Sequence, residues 1–255
     1  MPDNWIEASG LPVGVRALTT LREGGVSDGA FHSWNLASHV GDASQAVAQN
    51  RERLQAFLPH TATLHWLNQV HGTRCVDLDT LVDPVADVPE ADALITRRAN
   101  RVIAVLTADC LPVVLAGIGT PTVAIAHAGW RGLSAGVLSS VVRQCGEDVR
   151  GFAAWIGPSI SQNAFEVGPE VRAQMAEELG QQVLEFFRQG RDDRWWADLQ
   201  GIARSELNRL GVERVVTSPI CTVTDRRCFS YRRDGTTGRM ATVVWRESNS
   251  ESNNP

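Results

Sequence analysis

The chain has 255 residues, a net charge of −5 and 24 basic side chains, all of them arginine. The absence of lysine excludes Schiff-base enzymes, lysine-containing phosphate loops and Ser-Lys hydrolases. Positive charge is therefore carried by guanidinium groups, which bind carboxylate and phosphate through paired hydrogen bonds but do not act as bases. The acidic balance indicates neither a nucleic acid nor an anionic membrane as partner.

The length suits one large domain, and no linker-like stretch divides the chain. We expect a single catalytic domain over residues 1–247, followed by a disordered polar tail over residues 248–255. The chain has five cysteines, an odd number that does not indicate a disulfide framework. The first residues lack the pattern of a secretory signal, so we expect a reducing, cytoplasmic setting.

Apolar spacing gives the elements of the first half. Residues 43–57 have helical spacing, and residues 63–70 resemble a strand. Short apolar runs predict strands at residues 102–106, 113–116 and 122–126. Glycine and proline interrupt this apolar region, which favours buried strands over a membrane-spanning helix.

The second half of the chain alternates between predicted helices and predicted strands. Helices are predicted after Gly132 and over residues 169–187 and 198–210, and strands over 152–156, 212–217 and 240–246. Asp234-Gly235 resembles a hairpin turn before the last strand. The pattern predicts an α/β (α+β) fold, a layered mixed β-sheet sandwich with flanking helices.

Three residues with chemical potential follow predicted strands, each beside glycine or proline: His71, Cys110 and His127. Two imidazoles and one thiolate are a plausible zinc set with a fourth position open, and copper is an alternative ion. Without a metal, the same residues could form a Cys-His nucleophile in which Asp109 orients an imidazole. A third interpretation makes Cys110 a buried core thiol with two structural histidines.

The sequence around these residues resembles a known family. The blocks are Asn68–Gly72, Thr107–Pro112 and Ala126–Gly132, with further matches at 20–27, 33–36, 50–51, 156–160, 221–222 and 229–235. They are similar to the signature blocks of the YfiH family, also called the laccase-domain or multicopper polyphenol oxidase family. The resemblance covers nearly the whole chain and implies a CNF-toxin/YfiH-like fold.

The resemblance implies a mononuclear metal site built by His71, Cys110 and His127, usually holding zinc. It also implies purine nucleoside phosphorylase activity on adenosine, inosine or methylthioadenosine, with adenosine deamination as a side activity. Its alternatives are a peptidoglycan-editing amidase acting on a UDP-muramyl-Ser precursor and a polyphenol oxidase (laccase) with copper. In each case the partner is a small-molecule substrate. Asp109 is a candidate proton acceptor or a residue that orients His127.

Phosphate in a lysine-free site requires arginine, backbone amides or metal. Arg22, Arg51 and Arg131 lie in motif blocks and are candidates, as is Asn35 for substrate binding. A second arginine group surrounds Asp225 and Asp234. It either contacts a phosphate-bearing substrate, chiefly through Arg232 or Arg233, or forms a charged hairpin; its members are Arg226, Arg227, Arg232, Arg233 and Arg239.

Overall fold

Two mixed β-sheets lie face to face in a computed structural model that describes residues 4–81, 88–146 and 148–248. In spatial order, the first sheet contains β1 (Trp5–Glu7), β2 (Val15–Thr20), β14 (Met240–Arg246), β6 (Arg101–Thr107) and β3 (Thr63–His65). The second contains β13 (Arg214–Thr217), β9 (Phe152–Ile156), β7 (Leu111–Gly117), β8 (Val123–Ala128), β5 (Ala93–Thr96) and β4 (Cys75–Asp77). Each sheet combines parallel and antiparallel pairs, as predicted.

Helices cover the outer faces of both sheets. They are α1 (Ser44–Phe57), α2 (Trp130–Ser134), α3 (Val137–Cys145), α4 (Pro169–Leu179), α5 (Leu199–Arg209) and α6 (Tyr231–Asp234). Short 3₁₀ helices span Gly29–Phe31, Leu78–Thr80, Val149–Gly151, Gln162–Ala164 and Gln181–Phe186. A separate antiparallel ribbon consists of β10 (Glu166–Val167), β12 (Trp195–Ala197) and β11 (Phe187–Gln189).

The two-residue period of β6 explains how the first sheet is buried on both faces. Ile103 and Val105 pack against the second sheet. Val102 and Ala104 point the other way, into a core that includes Leu54 of α1. Because alternate side chains of a strand face opposite sides, a strand between two layers is apolar throughout.

The second sheet is buried in the same way. Val114 of β7 packs between the sheets, whereas Val113 and Leu115 contribute to the core under the helices. Val141 of α3 and Ile202 of α5 complete that core. The result is a helix–sheet–sheet–helix arrangement, which confirms the predicted layered sandwich with flanking helices.

Several predicted elements have different bounds. Left-handed Gly136 (φ 94°) separates α2 from α3, and Gly180 (φ 95°) ends α4, so neither predicted long helix is continuous. The hairpin at Asp234-Gly235 is wrong: residues 231–234 form α6, and β14 pairs with the distant strands β2 and β6. Only the start of the strand predicted over 63–70 is a strand.

Over the described ranges, the structure contains no helix that is both long and apolar enough to cross a membrane. The predicted tail lies outside the described residues except for Ser248. The single domain over 1–247 remains a prediction.

Candidate metal centre and its cavity

His71, Cys110 and His127 come together at one edge of the sandwich. One ligand atom from each residue lies within 4.8 Å of the other two. The two imidazole rings meet edge to face, with centroids 4.7 Å apart. Within the described part of the chain, this is the one group of three or more His, Cys, Asp or Glu side chains close enough to hold a metal.

The passage from one sheet to the other positions the thiol. Only residues 108–110 connect β6 of the first sheet to β7 of the second, so Cys110 lies where the two sheets meet. His127 lies opposite Pro112 in the pairing of β7 with β8. The predicted strand ended before His127, but the ladder continues to Ala128 and fixes the histidine within the sheet.

Asp92, just before β5, holds the two histidines in place. This fully buried carboxylate accepts a 2.8 Å hydrogen bond from Nδ1 of His127. It also accepts backbone N–H bonds from Val70 at 3.2 Å, His71 at 3.0 Å and Gly72 at 2.6 Å. These bonds stabilise the left-handed backbone of His71 (φ 61°) and leave Nε2 of His127 available to a metal.

The electrostatics of the group favour a thiolate. Burial opposes ionisation of Cys110, but the charge and hydrogen bonds of His127 and His71 outweigh it and lower the thiol pKa. Burial likewise disfavours the His127 imidazolium, but Cys110 and Asp92 raise the imidazole pKa. Burial also opposes ionisation of Asp92, while bonds from His127 and Gly72 lower its carboxyl pKa. A cation that binds the thiolate and two neutral imidazoles therefore suits the donor set.

Gly129 leaves the space in which such a cation fits. A Cβ atom built on this residue would lie 3.0 Å from Sγ of Cys110 and 3.1 Å from Cδ2 of His71. Its backbone angles, φ −62° and ψ 160°, are open to any residue. The glycine is therefore required for room beside the ligands and not for its backbone conformation.

We expect Gly129→Ala to weaken metal binding about tenfold or more while leaving the fold intact, because the added methyl group displaces ligands from their positions. Isothermal titration with zinc and thermal unfolding of the two proteins measure these effects. Gly151→Ala is the matched control, since its new Cβ would meet only the carbonyl of Ile118, at 3.9 Å. Unchanged zinc affinity in Gly129→Ala would contradict the placement of the site.

A cavity of about 350 Å³ opens above the three residues, within the size range of small-molecule sites. It is lined by His39, Gln69, His71, Leu106, Thr107, Ala108, Cys110, His127, Tyr231 and Arg239. Tyr231 is 61% exposed and offers an aromatic face at the cavity. The side-chain amide of Gln69 forms two hydrogen bonds with the backbone of Leu106, so Gln69 has a structural role in the cavity wall.

The arginines predicted in motif blocks lie elsewhere. Arg22 donates to the carbonyl of His32 and pairs with Asp234 at 3.6 Å. Arg51 donates to the carbonyl of Leu36 and lies 4.5 Å over the Trp66 ring. Arg131 is exposed, with its guanidinium 4.4 Å over the ring of the preceding tryptophan. None of the three is among the described residues that line the cavity.

The two C-terminal candidates, Arg232 and Arg233, also have partners within the protein. Arg232 donates to the carbonyl of Glu166 at 3.0 Å. Arg233 forms a 2.7 Å ion pair with Asp234 and bonds the carbonyls of Thr222 and Cys228. Arg232 thus ties α6 to β10, and Arg233 ties α6 to its preceding loop, so both side chains have a structural use.

Asn35 and Asp109 do not line the cavity and instead form hydrogen bonds with other parts of the chain. The buried Asn35 amide bonds Ala37 and Asp42, and its Oδ1 accepts the backbone N–H of Arg239 at 2.9 Å. Asp109 accepts 2.6 Å bonds from the Thr222 hydroxyl and from the backbone N–H of Arg232. The expectation that Asp109 orients His127 is corrected, because Asp92 performs that role.

The fold and the site together indicate an α/β protein of two packed sheets, with a candidate metal centre of two histidines and one cysteine where the sheets meet. The chain belongs to the family described as multi-copper polyphenol oxidoreductase laccase, whose model matches residues 16–247. This match confirms the family resemblance of the motif blocks.

Relatives of known name support the same assignment. The chain is 42% identical to the purine nucleoside phosphorylase YfiH of Escherichia coli, over 92% of this chain and 95% of the relative. It is 40% identical to a purine nucleoside phosphorylase of Pseudomonas aeruginosa, over 92% and 94% of the two chains. These names confirm the prediction that the chain is an enzyme.

Solved structures share the fold. A Neisseria meningitidis protein has 39% identity and a TM-score of 0.91, over 96% of this chain and all of that one. The YfiH protein of Bacillus licheniformis has 29% identity and a TM-score of 0.84, over 91% and 93% of the two chains.

Proposed function

We propose that the protein is a zinc-dependent purine nucleoside phosphorylase that acts on adenosine, inosine or methylthioadenosine. The observation that carries this proposal is the cavity in which His71, Cys110 and His127 face the same space as Arg239. It combines metal-type ligands with a cation suited to phosphate. The names of the relatives supply the substrate class. Adenosine deamination is proposed as a side activity at the same centre.

The donor set favours zinc over copper. Sites with two histidines, one cysteine and an open position suit zinc, whereas copper electron-transfer sites of this composition add a long axial ligand, usually methionine and sometimes glutamine. No methionine is among the described residues that line the cavity, and the amide of Gln69 is bonded to the backbone of Leu106. A multicopper oxidase needs several copper sites, and residues 4–81, 88–146 and 148–248 contain one candidate group.

Phosphorolysis breaks the bond between C1′ of the ribose and the purine nitrogen. The electron pair of that bond leaves with the base, which takes up a proton, and a phosphate oxygen bonds to C1′. Zinc bound by the three residues would supply Lewis-acid polarisation at the cavity. The chain's own residues confine the reactants: Tyr231 and Leu106 form an apolar wall, and Asp92 holds the His127 imidazole and the His71 backbone in position.

Incubation of the zinc-loaded protein with inosine, with and without inorganic phosphate, tests the proposal. We expect hypoxanthine and ribose 1-phosphate only when phosphate is present. Adenosine in the same assay reports deamination through ammonia release. Base release that is independent of phosphate would indicate a hydrolase, and no base release at all would refute nucleoside cleavage. Oxidation of a polyphenol by the copper-loaded protein would instead support the chemistry in the family description.

A further inference from the structure

Arg239 differs from the other predicted phosphate-binding arginines in its position at the cavity. Of the described residues that line the cavity, it is the one arginine. Its Nη1 donates to the neutral carbonyls of Thr237 at 2.8 Å and Gly238 at 3.1 Å. No ion pair observed in the described part of the chain includes it. The guanidinium thus lines a concave site without a carboxylate paired to it.

This charge is only partly hydrated. Arg239 is half-buried, and burial lowers the pKa of its guanidinium. A cation withdrawn from water is unfavourable unless an anion compensates for it. The nearby negative groups have other partners: Asp109 is bonded by Thr222 and Arg232, and the Cys110 thiolate belongs to the metal-type group. An anion in the cavity would supply the missing compensation.

The lowered pKa of His39 also indicates positive potential at the cavity. This imidazole lines the cavity, and burial together with the charges of Arg239 and Arg51 lowers its pKa. Arg51 also lacks a carboxylate among its observed contacts, which are the Leu36 carbonyl and the Trp66 ring. Two arginines that suppress protonation of the same histidine create positive potential at this wall.

The backbone holds Arg239 close to the metal-type group. Its N–H donates to Oδ1 of the buried Asn35, and the next residue, Met240, begins β14. Met240 pairs with Thr107, the last residue of β6 and three positions before Cys110. The guanidinium is therefore fixed at the same end of the first sheet as the thiol.

We propose that Arg239, whose backbone N–H is held by Asn35, binds the inorganic phosphate that attacks C1′. This inference rests on the proposed phosphorolysis and assigns its phosphate subsite. A guanidinium presents parallel donors that match two oxygens of a phosphate. Its guanidinium lies 5.9 Å from the centroid of the Tyr231 ring, so a phosphate bound to it would lie beside the aromatic wall of the cavity.

Steady-state kinetics of Arg239→Gln, with phosphate and inosine varied separately, test the assignment. We expect KM for phosphate to rise about tenfold or more, because a charge-assisted contact is lost, while KM for inosine changes far less. Titration of the zinc-loaded protein with inorganic phosphate alone should show the same weakening. For Arg239→Lys, we expect a KM for phosphate between those of the unmodified protein and Arg239→Gln, since lysine keeps the charge but loses the paired donors.

Two control variants separate this site from other arginines. Arg188→Gln, on the exposed β11, and Arg131→Gln, on α2, should leave KM for phosphate unchanged. A larger rise in KM for phosphate in Arg131→Gln than in Arg239→Gln would overturn the inference and indicate that phosphate binds at α2. Zinc content and thermal unfolding identify a misfolded variant; if Arg239→Gln does not fold, Arg239→Lys decides the question by the same ratio of KM values.

The failure of this inference is distinguishable from failure of the proposed function. Phosphate-dependent cleavage by the unmodified protein, with an unchanged phosphate KM in Arg239→Gln, would overturn the Arg239 assignment alone. Absence of phosphate-dependent cleavage in the unmodified protein would remove both proposals.

Discussion

Replacing Cys110 with alanine is expected to remove the bound metal and to lower kcat/KM for phosphorolysis at least about 1,000-fold, equivalent to about 4 kcal/mol. The thiolate is the one anionic member of the three-residue group, and both imidazoles lower its pKa. Two neutral imidazoles alone form an incomplete site. Metal analysis by mass spectrometry and the inosine assay measure the two losses.

Cys145→Ala is the matched control for Cys110→Ala. Cys145 is also a cysteine, but it is the last residue of α3, is buried in the core and does not belong to the metal-type group. We expect this variant to retain metal and activity while losing about 1 kcal/mol of stability from the lost packing. Full metal content and activity in Cys110→Ala would contradict the metal centre. A metal-free unmodified protein that depends on Cys110 would instead support the Cys-His nucleophile.

The fold was predictable where burial alone determines the sequence pattern. β9 and β14 are apolar on both faces because each lies between two packed layers, so their predicted bounds, 152–156 and 240–246, are confirmed. β2 was not predicted; it pairs with β1 nearby in the chain and with β14 at the far end of it. The buried Thr19–Thr242 hydroxyl pair illustrates this pairing, which no local pattern reveals.

Glycine explains the errors in the helices. The apolar spacing of residues 169–187 continues through Gly180, but the backbone there has a positive φ of 95° and an extended ψ of 163°, and the chain proceeds as a 3₁₀ helix, Gln181–Phe186. Gly136 has the same effect between α2 and α3. Both glycines are signals for a helix end, and each outweighs the amphipathic period around it.

The site was predictable in its reactive groups but not in their support. His71, Cys110 and His127 lie in short motifs that contain glycine or proline, a local signal. Asp92 is different, since its partners lie 20 to 22 and 35 positions away and its own segment resembles the start of an ordinary strand. Arg239 belongs to the predicted cluster of five arginines, and only the tertiary structure shows that it is the member of this cluster that lines the cavity.

Asp92→Asn is expected to weaken zinc binding about 10- to 100-fold, since it disturbs the residues that orient two ligands. Each carboxylate oxygen accepts two N–H groups: Oδ1 those of His71 and His127, and Oδ2 those of Val70 and Gly72. An amide replaces one acceptor with a donor, so either orientation removes the acceptor from two of these four N–H groups. We expect a loss of about 3 kcal/mol in the free energy of unfolding, measured by urea denaturation.

Asp79→Asn separates the effect on zinc from the effect on stability. Asp79 is another partly buried carboxylate: it accepts bonds from the Thr96 hydroxyl and the Arg97 N–H, and it lies 3.5 Å from the Arg101 guanidinium. It does not line the cavity, so its variant should lose stability while zinc affinity stays unchanged. Equal losses of zinc affinity in the two variants would mean that general loosening of the second sheet, and not the orientation of His71 and His127 by Asp92, governs the metal centre. A selective loss in Asp92→Asn would establish that one buried carboxylate couples the folding of the 70–72 loop to the position of both imidazoles.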